Sequence, residues 1–176
     1  MPDAIDLRRV IRDVPDFPKP GILFKDITPV LENPAAYAAA VRGLGGLLAG
    51  ISCDRFATIE SRGFVFGGPL ALQLGLPLSL VRKAGKLPAA TRAVTYALEY
   101  GTATIEAHLD SFHPGEKVVI VDDLLATGGT ALAAAQLVRE AGASVAGFLF
   151  LVELEFLSGR EKLAAVAPVF SLVNFA

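Results

Sequence analysis

An α/β architecture, with a mostly parallel central sheet flanked by helices, is the fold class that three observations predict. Strand-like and helix-like segments alternate along the 176 residues. Val118 to Val121 is an unbroken β-branched run, the mark of a strand covered on both faces. Helix boundaries are punctuated, with Asn33-Pro34 opening one pattern and Gly142 closing another.

In chain order, Asp3 to Asp13 carries a weak helical pattern through Ile5, Val10 and Ile11. Pro15, Pro18, Pro20 and Gly21 then forbid regular structure, so FPKPGILF reads as a shaped loop leading into a short extended piece. Asn33 caps a helix that begins at Pro34 and fades at its glycines. Arg55 to Ile59 predicts a strand, Phe64 to Leu74 a buried helix and Leu76 to Val81 the next strand. Lys83 to Arg92 lacks periodicity and reads as an exposed loop. Val94 to Glu99 and Thr102 to His108 flank Tyr100-Gly101 as a hairpin, with a polar face at Thr102, Thr104, Glu106 and His108. Lys117 to Val121 is the central strand and Gly128 to Ala141 the following helix; a strand from Val145, a short helix and a last strand complete the chain.

Composition narrows the class of protein. With 53% hydrophobic and 19% charged residues the chain is too apolar for disorder, and the apolar surplus predicts a thick core or a partner-covered surface, as in a homo-oligomer. No apolar run reaches the ~18 residues of a membrane helix, and the charged start MPDAIDLRRVIRD resembles no leader, so a cytoplasmic protein is expected. One cysteine, Cys53, and two histidines, His108 and His113, offer neither a disulfide nor a zinc site. A net charge of −2 argues against a nucleic-acid partner. The charges are nevertheless segregated. Ser61 to Leu98 contains no Asp or Glu but holds Arg62, Arg82, Lys83, Lys86 and Arg92. That pattern is either a local anion site or a solvated basic face.

Val118 to Thr130 carries most of the chemistry. Asp122 and Asp123 stand where the central strand leaves the sheet, the position at which open α/β sheets bind ligands. Ala126, Thr127, Gly128, Gly129 and Thr130 follow at the start of a helix, where glycine amides and the helix dipole cradle a phosphate. The nucleotide P-loop pattern fails, since no lysine follows Gly129, and Gly43 and Gly45 lie inside a helix rather than in a dinucleotide fingerprint. Acids for hydroxyls beside amides for a phosphate suit a sugar phosphate; a turn with an N-cap is the plainer reading of the two aspartates.

A hydrophobic strand, the acid pair, two apolar residues and ATGGT together resemble the phosphoribosyl-pyrophosphate signature of the type I phosphoribosyltransferases. FPKPGILFKDIT, ESRGF, VRKAGKLP and YALEYG are similar to further motifs of members acting on adenine, in the same order and over nearly the whole chain. The resemblance implies that fold as one domain over 1–176, with an N-terminal hood of about 1–33 and a core of about 34–176. It implies transfer of a phosphoribosyl group from phosphoribosyl pyrophosphate to adenine, giving AMP and pyrophosphate, with Mg2+ held through substrate oxygens and water rather than by direct protein ligands. In that reading Asp122 and Asp123 contact the ribose, and Ala126 to Thr130 take the 5′-phosphate. Ser61, Arg62 and Gly63 receive pyrophosphate together with Arg82, Lys83 and Lys86, some of these cations reaching in from a neighbouring subunit, which narrows the homo-oligomer to a homodimer. Glu99 handles a purine proton, with Arg62 as the second catalytic candidate, and Tyr100 belongs to a closing loop. Leu23, Phe24 and Lys25 hold the adenine. Thr58 stands where the family often has glycine, and Lys25 where many members have arginine. Plainer roles remain open from the residues alone: a surface ion pair for Arg62, a solvated Lys86, hairpin decoration for Glu99 and core packing for Phe24. Two other functions share these motifs, transfer to a different base and non-catalytic sensing of phosphoribosyl pyrophosphate.

Overall fold

The computed structural model of the chain describes residues 5–97 and 101–176. Its first helix, α1 (Leu7–Val10), is one turn long, with the Asp6 carboxylate accepting from the Arg8 amide. At Arg12 the chain enters β1 (Arg12–Pro15) instead of continuing as a helix to Asp13. The sparse apolar pattern there cannot sustain a helix against strand pairing. β1 pairs antiparallel with β2 (Leu23–Asp26), Val14 opposite Phe24 and Asp13 opposite Lys25, as a two-stranded ribbon apart from the main sheet. A one-turn helix that the sequence pattern did not signal, α2 (Thr28–Glu32), buries Val30. α3 (Pro34–Leu47) starts where Asn33-Pro34 predicts, the Asn33 side chain accepting from the Ala35 and Ala36 amides at 3.0 and 3.1 Å.

The main sheet contains β3 (Arg55–Ile59), β4 (Leu78–Lys83), β5 (Thr91–Ala97), β6 (Thr102–His108), β7 (Lys117–Leu125), β8 (Ser144–Leu154) and β9 (Val169–Phe175), in the order β5-β6-β4-β3-β7-β8-β9. From β4 to β9 the neighbours are parallel, and the β5-β6 hairpin is added antiparallel to β4. β4 begins two residues later than the pattern suggested, because Pro77 has no amide to give and contributes only its carbonyl, to Phe56. The expected polar face of β6 is not solvated at Glu106. Its carboxylate is buried and accepts from the Lys86 and Leu87 amides and the Thr91 hydroxyl, so residues 84–90 fold over it.

Alternation along the central strand sets the layers. Val118 and Ile120 pack with α5 (Gly129–Glu140) on one face, while Val119 and Val121 pack with α3 and α4 (Gly63–Leu74) on the other. α6 (Gly159–Ala164) sits beside the start of α5. Every helix on these faces leads away from, or returns to, a parallel strand, so the carboxyl ends of β3, β4 and β7 open on one side of the sheet.

Thr58, at a position expected to affect local packing, is fully buried and donates to the Ser79 carbonyl at 3.3 Å. Its methyl group lies against Gly67 of α4, where an added Cβ would come within 2.0 Å. Gly67→Ala is therefore expected to destabilise the fold by about 1–3 kcal/mol or more in urea unfolding. Thr58→Ala in the same chain should recover most of that loss. Equal cost in both backgrounds would mean that the two residues do not meet.

Candidate active site

Three strand ends and one helix start build the site. Past Ile59 the chain turns through Glu60, Ser61 and Arg62 into α4, with a cis Glu60–Ser61 peptide. β4 brings Arg82 and Lys83 alongside, and β7 brings Asp122 and Asp123. These residues line a cleft of about 700 Å³ whose other wall is Tyr96 of β5 with Thr104 of β6. A smaller hollow of about 90 Å³ continues along Ala126 to Ala131 and shares Asp122, Leu124 and Thr130 with the cleft.

The acid pair is not beyond the end of its strand, as the sequence suggested. β7 continues to Leu125 by pairing with β8, Asp122 opposite Phe150, whereas its pairing with β3 stops at Val121. The aspartates thus emerge past one neighbouring strand while the other still holds them. Asp122 Oδ1 accepts the Asp123 amide at 2.8 Å. Gly63 packs against the same point: a Cβ there would lie 2.8 Å from the Val121 carbonyl oxygen and 3.0 Å from Asp122 Oδ1, so only glycine permits the approach.

Arg62 answers the charge. Its Nε lies 2.6 Å from Asp123 Oδ2, but the N–H is not aimed at that oxygen, which is buried and accepts no hydrogen bond among the described residues. Burial and the neighbouring Asp123 charge push the Asp122 carboxyl well above the ordinary aspartate range. Burial also raises Asp123, with Arg62 opposing the shift. Two acids so placed favour sharing a proton, and both have oxygen lone pairs to offer a cation or a ligand hydroxyl. Among the described residues no three acidic, histidine or cysteine side chains converge as a metal site. A divalent ion there would take most of its oxygens from a ligand and from water.

Glu60 is a functional residue that the sequence reading passed over. Its carboxylate accepts from Arg82 Nε and Nη2 at 3.2 and 3.0 Å and from the Lys83 amide at 3.0 Å, and the Arg82 contact holds its pKa below the ordinary glutamate value. Arg82 therefore lines the cleft with its guanidinium already engaged; it also donates to the Lys86 carbonyl. Arg62 and Lys83 are the cations with freer access. Lys86 lies in the loop over Glu106 and does not line the cleft. Glu60 and Tyr96 each open a motif that resembles the family's, ESRGF and YALEYG, and Glu60 also borders the acid-free stretch.

Phe24 comes close to the site, with the Arg62 guanidinium 5.6 Å from its ring centroid. Leu23 beside it is 48% exposed. The Lys25 ammonium is turned elsewhere, 2.6 Å from Asp13 and 4.1 Å from the Phe175 ring centroid. Its side chain is occupied, and its main chain remains in the ribbon. Ser61 lines the cleft, Gly63 abuts Asp122, and Ala126 to Gly129 line the hollow. Glu99 and Tyr100 lie outside the described residues.

A strand-end acid pair next to a glycine-threonine helix start defines a class, and the chain belongs to it: residues 26–169 match the phosphoribosyl transferase domain, and the chain is a member of that family. Within the family, relatives at 51–57% identity are named adenine phosphoribosyltransferases. The protein of that name from Sorangium cellulosum is 57% identical over 174 residues, covering 97% of this chain and 87% of the relative. The crystal structure of adenine phosphoribosyltransferase from Thermoanaerobacter pseudethanolicus superposes with a TM-score of 0.93 at 50% identity, covering 96% and 98% of the two chains. The enzyme from Saccharomyces cerevisiae, crystallised with an imino-altritol bisphosphate and adenine, superposes with a TM-score of 0.88 at 41% identity, covering 94% and 96%.

The acid pair makes a pH-dependent prediction. A folded state that keeps protons the unfolded chain releases loses stability as pH rises from the ordinary aspartate pKa through the raised folded value. Asp122→Asn should thus raise Tm at pH 7.5, by roughly 2–4 °C for each kcal/mol recovered, and leave it nearly unchanged near pH 4. Glu60, Glu106, Glu116 and Glu153 are held below their ordinary pKa, so their stabilisation fades in acid, but equally in both proteins. A Tm difference independent of pH would remove the electrostatic account.

Proposed function

We propose that this chain is an adenine phosphoribosyltransferase, converting adenine and 5-phosphoribosyl 1-pyrophosphate into AMP and pyrophosphate in purine salvage. The observation that carries this reading is the meeting, in one cleft and the hollow that continues from it, of the acid pair, the glycine-threonine helix start and the Arg62-Lys83 cations. The relatives' shared name supplies the base.

In the reaction a nitrogen of adenine bonds to C1′, the C1′–O bond to pyrophosphate breaks with its electron pair leaving on oxygen, and the ring nitrogen gives up its proton. Positive charge gathers on the ribose and negative charge on the leaving group. Asp122 and Asp123 accept from the ribose hydroxyls and, as carboxylates, favour the sugar's growing charge. Ala126, Thr127, Gly128, Gly129 and Thr130 anchor the 5′-phosphate through first-turn amides that no helical carbonyl uses. Ser61, Arg62, Gly63 and Lys83 hold the pyrophosphate, with Arg82 and Lys86 shaping that side, and Glu99 takes the proton. Magnesium would be held through substrate oxygens and water rather than by direct protein ligands, and would supply charge neutralisation at the leaving group.

Residues 1–33 act as the hood and 34–176 as the core. Phe24 forms a face of the adenine site, while Leu23 and Lys25 offer main-chain groups to the base. The protein works as a cytoplasmic homodimer. Leu72 of α4, 87% exposed, and the exposed Leu74 and Leu80 supply apolar area for such a contact.

The assay of this reading is AMP formation from adenine with magnesium. Hypoxanthine presents a carbonyl where adenine has its amine, so an acceptor in the pocket would face an acceptor, and hypoxanthine should be about a thousandfold poorer by kcat/KM. Comparable use of both bases would sink the adenine assignment, and no pyrophosphate release with any base would favour a non-catalytic sensor. Glu99→Gln should lower kcat by about 10²-fold or more with little change in phosphoribosyl pyrophosphate affinity. Sedimentation should give twice 18.4 kDa for the active species.

A further inference from the structure

From the outer hairpin, the Tyr96 side chain reaches the start of α5. Its hydroxyl lies 2.9 Å from Thr130 Oγ1. Its ring covers Gly129, where an added Cβ would sit 3.7 Å from Cδ2 and 3.8 Å from Cε2. The ring is partly buried against the core cluster of α5, so its position is set by packing and its hydroxyl by one partner.

The direction of that hydrogen bond follows from what Thr130 has to do. A phosphate oxygen at neutral pH serves mainly as an acceptor, so Thr130 can serve it only by donating its single hydroxyl proton. The Thr130 oxygen is then left with lone pairs facing Tyr96, and the phenol is the group that can donate to them. The order is Tyr96 O–H to Thr130 Oγ1, then Thr130 O–H to phosphate. Such a chain fixes the threonine rotamer before the ligand arrives and polarises the hydroxyl toward it.

We infer that Tyr96 is a positioning residue for the phosphate subsite, acting through Thr130 to orient that hydroxyl toward the 5′-phosphate. The inference rests on the proposed reading of residues 126–130 as the phosphate cradle, but it does not depend on which base is used. It also ties β5, on the far wall of the cleft, to occupancy of the cradle.

Calorimetric titration with ribose 5-phosphate, and separately with pyrophosphate, tests it on wild type, Tyr96→Phe, Thr130→Val and the double variant. Tyr96→Phe keeps the ring and removes the hydroxyl; it is expected to weaken ribose 5-phosphate by about 5–10-fold while leaving pyrophosphate within about twofold. In the Thr130→Val background the same change should have almost no further effect, since the group it acts through is gone. Thr130→Ser, which retains a hydroxyl, should restore sensitivity to Tyr96→Phe. Ribose 5-phosphate affinity unchanged in Tyr96→Phe, an equal loss for pyrophosphate, or full multiplication of the two single effects in the double variant would each overturn the assignment. Wild-type protein that fails to bind ribose 5-phosphate would overturn it together with the phosphate reading of the loop. The expected pattern obtained without adenine turnover would support Tyr96 and bring down only the base assignment.

Discussion

Keeping two adjacent carboxylates at the end of a buried strand is the constraint around which this molecule is arranged. Asp122 and Asp123 lose solvation and repel one another, and both effects raise their affinity for protons. A fold that only needed stability would replace them. Here the surroundings compensate in part: the Asp123 amide bonds back to Asp122, and Arg62 places a positive charge beside Asp123. The compensation is incomplete, since Asp123 Oδ2 keeps an unfilled place for a hydrogen. A ligand with hydroxyls, or a cation carried by a ligand, completes what the protein leaves open.

The neighbouring elements are shaped to that pair. α4 can approach it only because residue 63 lacks a side chain. α6 meets the loop after β7 in the same way, with Gly159 so close that a Cβ would fall 2.1 Å from the Ala126 carbonyl oxygen. The acid pair and the loop after it are thus held from two sides by backbone, which moves less than side chains do. Glu60 performs a parallel task for the cations, using one carboxylate to fix both Arg82 and the Lys83 amide. Lys83 and the acid pair thereby line the same cleft, with the Arg62 guanidinium against Asp123.

Much of this was legible in the residues. The Asn33-Pro34 start, the limits of β3, the helix beginning near Phe64 and the two-faced burial of Val118 to Val121 follow from local rules that need no partner strand. The acid pair with its glycine-threonine helix start was equally plain, because ligand-binding residue types sit at short, fixed spacing there. Other features were hidden because their cause is distant in sequence. Nothing near Arg12 announces that it will pair with Asp26 rather than finish a helix, and nothing near Glu106 announces that residues 84–90 will cover it.

Taken alone, the sequence determined the α/β class, the order of its elements from α3 onward and the segment that carries the ligand chemistry, since periodicity, caps and loop composition act within a few residues of themselves. The tertiary structure decided how far β7 runs, because that depends on β8 continuing alongside after β3 has stopped. It decided which cations reach the cleft, separating Arg82, bound to Glu60, from Arg62 and Lys83, and leaving Lys86 outside. It also brought Tyr96 to Thr130 and Arg62 to Phe24. Those contacts join residues 34 and 38 positions apart, and only strand order and twist can place such residues within a hydrogen bond or a ring contact of each other.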